Sequence, residues 1–201
     1  MSGTFPASPV MKGADIDSNQ PTIVDLSESA RRQSRTVEGH LWSARCMYPE
    51  MEKADFRPLF AFAAAQKGRS ESFQIVFPHL EPLGAALGTP QVSGALLAGV
   101  TSVNLSNYTA SIAGIIKAAD FFKFNNHSKV YMFTEDADSS AGGAVTGAQF
   151  IPALIEDVPD LTQITIHSIP FTMAFKNDIQ SYKTSSPLFM KYEIDLIEAI
   201  S

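Results

Sequence analysis

The sequence holds a single cysteine, Cys46, so no internal disulfide can form. A lone thiol followed by Met-Tyr-Pro reads as a small buried hydrophobe, in a chain expected to fold in a reducing cytosol. Basic residues are also scarce: 15 Lys and Arg stand against 21 Asp and Glu, a formal net charge of −6. Reading a nucleic-acid duplex takes a basic stripe that releases counterions from phosphates. The one candidate, Arg31, Arg32 and Arg35, sits among Asp25, Glu28 and Glu38. It reads as a solvated face, and no sequence-specific nucleic-acid partner is expected. The longest apolar run, Gly94–Val100, is far shorter than the roughly 20 residues that cross a bilayer. The first residues lack the charged-then-apolar layout of a signal peptide, so no membrane partner is expected either.

Local signatures of catalysis are missing too. No G-x-x-x-x-G-K-[ST] loop, no G-x-G-x-x-G after a strand and no G-x-S-x-G elbow occurs. The four histidines (His40, His79, His127, His167) stand apart, never at the i, i+4 spacing of a zinc helix. Nearest to a site is Glu135–Gly143, where Asp136, Asp138 and Ser140 fall at positions 1, 3 and 5 of a calcium loop. Its sixth position is Ala141 instead of Gly, and its twelfth is Gly147 instead of a bidentate Glu. It therefore reads as a hairpin tip kept soluble by Asp, Ser and Gly. Glu156, Asp157 and Asp160 flank Pro159 in a turn. Trp42, Phe121, Phe122, Tyr131 and Phe133 could make a sugar platform, but in a chain 10% aromatic they fit core and cross-strand packing better. No catalytic, cofactor-binding or metal-binding residue is assigned, and no cofactor. The chain is expected not to be an enzyme.

What is present is a globular profile: 201 residues, 45% of them hydrophobic, enough for one large domain or two small ones. Residues 1–29, with Pro6, Pro9, Pro21, Gly3 and Gly13 among small polar residues, are expected to form an extended arm. Residues 30–201 are expected to form a single β-rich domain. Ser34–Tyr48 reads as a strand stopped by Pro49. One helix follows, capped by Asp55, with Pro58 in its first turn and a stripe of Phe56, Leu59, Phe60 and Ala63. Gln66 and Lys67 close it, and Gly68 supplies the left-handed position. An earlier start, near Glu52, would leave Pro58 to kink it.

Phe73–Phe77 alternates apolar and polar and ends at Pro78. The stretch 79–111 reads as a long loop or hairpin insertion, with a strand at Val100–Leu105. The clearest β unit is Ile112–Thr134: a turn at Lys117–Asp120, a strand at Phe121–Phe124, a tight turn at Asn125–Ser128 and a return strand at Lys129–Thr134. Ala144–Ile151, Thr162–Ser168, Phe171–Phe175, Ile179–Thr184 and Leu188–Ile200 complete the set. Tyr192, Ile194 and Leu196 alternate with Glu193 and Asp195 in the last. The expected fold is mainly β (α+β): a barrel or sandwich of about eight to ten short strands with one principal α-helix packed on it.

Three stretches resemble tail-tip structural proteins of tailed bacteriophages, of the distal-tail or baseplate-hub kind. The first runs from Val37-Glu-Gly-His-Leu-Trp42 through Asp55-Phe-Arg-Pro-Leu-Phe-Ala-Phe62 and Gln66-Lys-Gly-Arg69 to Ser72-Phe-Gln-Ile-Val-Phe-Pro78. The second is Ile116-Lys-Ala-Ala-Asp-Phe-Phe-Lys-Phe124 with His127-Ser-Lys-Val-Tyr-Met132. The third is Tyr192-Glu-Ile-Asp-Leu-Ile-Glu198. The likeness spans about residues 34–200, matching only loosely over 135–160, and Ala119 stands where the family pattern has Gly. It implies a structural subunit that forms a trimeric or hexameric ring of its own copies around the tail axis. That ring would join the tail tube to hub, baseplate, adhesion or fibre proteins, carry no active site and belong to the virion, after assembly in the host bacterial cytoplasm. A negative lumen would let DNA pass without sticking. The alternative reading is a tail-associated fibre-attachment or carbohydrate-binding module.

Overall fold

The structure, a computed structural model, describes residues 3–28, 30–37, 39–85, 87–184 and 188–200. Met1, Ser2 and Ser29 of the expected arm, and Glu38 beside the arginines, lie outside these. The described residues form fifteen strands and one helix. In chain order they are β1 (Gly13–Asn19), β2 (Thr22–Leu26), β3 (Arg32–Thr36), β4 (Leu41–Met47), β5 (Met51–Glu52), α1 (Lys53–Ala65), β6 (Ser72–Val76), β7 (Gly88–Val92), β8 (Ser102–Tyr108), β9 (Phe121–Phe124), β10 (Val130–Phe133), β11 (Val145–Ile151), β12 (Ile164–Thr165), β13 (Pro170–Phe175), β14 (Tyr182–Thr184) and β15 (Phe189–Glu198). The mainly β fold with one principal helix is thus the observed one. Strands outnumber the expectation because several are two or three residues long and because the N-terminal segment contributes its own.

One β-rich domain was expected over 30–201, but the chain divides into two compact units, residues 1–73 with 173–199 and residues 74–172 with 200–201. Strands β6 and β13 carry the chain from one unit to the other. Buried apolar residues serve each unit: Phe56, Leu59, Tyr192 and Leu196 in the first, and the cluster inside a small barrel in the second.

The first unit is built on the sheet β1-β4-β15-β13-β6. Its organiser is β15, where Met190, Tyr192, Ile194 and Leu196 are buried on alternate positions, as the period of two requires. Along one side β15 pairs β4 and then β5; along the other it pairs β13 and then β14. The expected arm is folded instead. All seven residues of β1 pair antiparallel with β4, from Gly13↔Met47 to Asn19↔Leu41, and Phe5 and Met11 are buried. Polar residues conceal this strand because β1 ends the sheet, where Asp15, Asp17, Ser18 and Asn19 face solvent. The single strand expected over Ser34–Tyr48 is two strands, interrupted at Gly39, whose φ of +115° suits only glycine.

Helix α1 turns Phe56, Leu59 and Ala63 inward, and Phe56 meets Tyr192 of β15 edge to face at 5.7 Å. It starts at Lys53, two residues before the expected Asp55 cap, with Glu52 at the N-cap making no side-chain bond. Pro58 therefore lies inside the helix, where it cannot donate to the Ala54 carbonyl. At the C-terminal end the Gln66 backbone N–H donates to Ala63, and Gly68 takes the expected left-handed conformation (φ +68°), but Lys67 before it is left-handed too (φ +56°).

The second unit is a six-stranded antiparallel sheet in the order β12-β9-β10-β11-β8-β7, curled into a nearly closed barrel. Its two ends meet where Val92 donates to Thr162 (2.9 Å), Leu161 donates to Val92 (3.1 Å) and Gln91 bridges Gln163. Six strands enclose a space that side chains fill. Val103, Leu105, Phe122, Phe124, Tyr131, Phe133, Val145 and Phe150 do so. Phe122 stacks on Phe133 at 4.2 Å and meets Phe150 edge to face at 5.6 Å. A bulge in β11 at Gly147 (φ +67°) bends the sheet, its N–H held by Asn104 Oδ1 at 2.8 Å. The insertion expected over 79–111 is part of this wall, since β7 and β8 pair with each other.

Candidate functional site

The residues that sequence singled out for chemistry are put to structural use. Asp136 Oδ1 accepts the Ala118 N–H (2.9 Å) and its Oδ2 the Lys117 ammonium (2.7 Å). These bonds hold its carboxyl below the usual carboxylate range, the lysine bond contributing most. Asp138 Oδ1 accepts Gly114 N–H (2.6 Å), Ser139 Oγ donates to the Thr109 carbonyl (2.6 Å), and Ser140 Oγ accepts Ala144 N–H (3.0 Å). A calcium loop aims its oxygens at one point, whereas these point into the surrounding turns. Asp157 and Asp160 behave alike, accepting the amides of Ala98 (2.8 Å) and Gly94 (2.7 Å). Among the described residues no three His, Cys, Asp or Glu side chains converge as a metal site would require.

The histidines are dispersed. His40 bonds Ser18 Oγ (2.8 Å) and packs on Trp42; His167 bonds Glu81 (3.1 Å); His79 is exposed. His127 is buried, with Nε2 bonded to Tyr131 Oη (2.8 Å) and Nδ1 to Asn126 Oδ1 (3.0 Å). Burial, with the charge of Lys123, lowers its pKa to about 4. Cys46 is fully buried in β4, and burial pushes its thiol up to about 12, far from the thiolate a nucleophile needs. Trp42, Phe121, Phe122, Tyr131 and Phe133 are all buried, so none offers a ring face to a sugar.

The feature that sequence reading missed is a ribbon. Strands β2 and β3 pair with each other in a two-stranded sheet of their own, from Thr22↔Thr36 to Leu26↔Arg32. The turn is tied by Ser27 N–H to Arg31 O (3.0 Å) and Ala30 N–H to Ser27 O (2.8 Å), with Ala30 in the left-handed region. At its base Val37 donates to Pro21 (2.9 Å), where the ribbon continues the β1–β4 pair. All ten strand residues are exposed, including Ile23 (60%) and Leu26 (68%). A lone two-stranded ribbon is marginal in water, so one that exposes Ile, Val and Leu has a surface left to cover. The signal for it was weak: a five-residue Thr-Ile-Val-Asp-Leu run followed by Arg-Gln-Ser-Arg-Thr, with no alternation of its own.

Among the described residues no helix is long and apolar enough to cross a membrane. No family model matches the chain, and no curated protein matches it. What the fold defines is a mainly β protein with a nearly closed six-stranded barrel, a sheet backed by α1 and a two-stranded ribbon.

Proposed function

We propose that this chain is a structural subunit of a bacteriophage tail tip or baseplate. Copies of it form a ring around the tail axis that connects the tail tube to adhesion or fibre proteins. The observation that carries the reading is the β2–β3 ribbon, whose ten strand residues are all exposed among the described residues, which suits it to serve as a contact element. The resemblance over residues 34–200 supplies the tail. The acidic side chains support a scaffold role, since their oxygens are engaged in holding turns. A sugar-binding role finds no such support, because the aromatics that would serve it are buried.

Sedimentation of the purified chain, alone and with the other tail proteins, tests the proposal. Assembly into a trimer or hexamer is expected. A sharp 21.8 kDa monomer that stays apart from tail proteins would end it. Particle imaging that puts the chain off the tail axis would do the same.

A further inference from the structure

Across the first unit's sheet the exposed charges alternate in register. Asp15 of β1 lies opposite Arg45 of β4, which lies opposite Asp195 of β15. Arg45 bonds Glu193 at 2.8 Å and comes within 3.9 Å of Asp195, and these acids with Asp15 raise its pKa. One arginine thus serves three acids, and the row ends on Asp15 at β1, the terminal strand of the sheet. Asp17 adds another negative charge on the same strand face. Beyond β1, backbone N–H and C=O groups face outward with no strand beside them among the described residues. Such an edge accepts an added strand.

The ribbon has the complementary character. Strand β3 is also terminal, and Arg31, Arg32 and Arg35 lie along it and its turn without an acid in the strand. None of the three has an ion-pair partner within 4.0 Å among the described residues. Because β3 and β4 are successive parts of one ribbon, β3 projects past the sheet that holds β4 and cannot reach β1 of its own chain, which pairs beside β4.

We propose that β3 of one copy adds to the outer edge of β1 of a second copy, setting Arg35 beside Asp15. The charge row then runs from Arg35 of the first copy to Asp15, Arg45 and Asp195 of the second, alternating in sign across four strands. Opposite charges on facing strands stabilise the pairing and fix its register. The contact is head to tail: each copy gives β3 and receives on β1, so it repeats until it closes into a ring. This inference rests on the ring reading and names the strands that make the ring.

The test is a crosslink in the full chain carrying Asp15→Cys and Arg35→Cys, since buried Cys46 is shielded from oxidant. On oxidation, covalent species longer than a dimer are expected, running up to a closed ring. Each single variant should stop at a dimer. In parallel, Arg35→Glu is expected to raise the concentration at half-assembly by about tenfold or more, while the far-UV spectrum stays unchanged because Arg35 is exposed. If the wild-type chain assembles but the double-cysteine variant yields nothing beyond dimer and Arg35→Glu assembles normally, the β3–β1 contact is wrong and the ring stands. If the wild-type chain is a monomer, the ring reading falls and this contact falls with it.

Discussion

Replacing Asp120 by Ala should be among the most damaging single changes in the barrel unit. Its carboxylate is buried and accepts three backbone amides: Leu83 on Oδ1 at 2.7 Å, and Gly84 at 3.1 Å and Lys117 at 2.9 Å on Oδ2. Removing the acceptor strands three donors, each costing about 1–3 kcal/mol when cut off from water. The amides are only partly buried, so the sum falls toward the low end, at about 3–5 kcal/mol. That is a large share of the roughly 5–15 kcal/mol that holds a domain folded. Asp120→Asn keeps one carbonyl oxygen and can serve either side, so about half the loss is expected. Asp138→Ala is the milder comparison: it strands one amide in place of three, that of buried Gly114, and should cost about 1–2 kcal/mol. Urea unfolding followed by far-UV dichroism gives the ranking, read as midpoints at constant slope. Amide exchange should accelerate at Leu83, Gly84 and Lys117 in the Ala variant. If Asp120→Ala lies within about 0.5 kcal/mol of Asp138→Ala and those amides keep their protection, the carboxylate is not what holds this corner.

Three further outcomes follow from single groups. The pKa of His127 is lowered from 6.5 to about 4, so the unfolded chain takes up its proton first; stability should be full above pH 6.5 and fall by about 3 kcal/mol as pH drops to 4. His127→Gln should flatten that slope, checked by urea midpoints across the range. Cys46, buried with its thiol pushed up to about 12, should ignore a thiol reagent at neutral pH until the chain unfolds; prompt labelling of native protein would contradict its burial. Ala119 holds φ +71°, a conformation costing an L-residue about 1–2 kcal/mol, against roughly 0.4–1 kcal/mol of extra chain entropy lost by glycine. Ala119→Gly should therefore stabilise by about 0.5 kcal/mol, seen as a melting temperature about 1–2 °C higher.

Local patterns were legible where packing and chain neighbours agree. Phe121–Phe124 and Val130–Phe133 form a hairpin because apolar residues flank an Asn-Asn-His-Ser turn, and the register Met132↔Phe121 follows from it. Helix α1 and the alternating β15 were readable for the same reason. Ala119 was less legible: its methyl group in place of Gly suggested a turn of different geometry before Asp120, yet the backbone adopts the left-handed conformation that glycine favours, at φ +71°. Hidden from sequence were the elements whose partners lie far away. Strand β7 reads as Gly-Thr-Pro-Gln-Val, and only its ladder to β8 and its closure against Thr162 make it a barrel wall.

The acidic residues show why a list of polar side chains misleads about chemistry. Asp120, Asp136, Asp138, Asp157 and Asp160 each accept backbone amides in loops where the chain turns too tightly to satisfy its own donors. A barrel of short strands has many such turns, and a carboxylate two or three residues from a turn, or across it, is the shortest acceptor available. Asp120, Asp136 and Asp138 do gather around Lys117, yet each has an oxygen committed to a backbone amide, while Asp157 and Asp160 hold the amides of Ala98 and Gly94. Other charge lies at strand edges: Asp15 and Asp17 on β1, and Arg32 and Arg35 on β3, whose partner β2 carries Asp25. Their separation within one chain is what a head-to-tail contact needs, because each copy can then satisfy its neighbour and never itself.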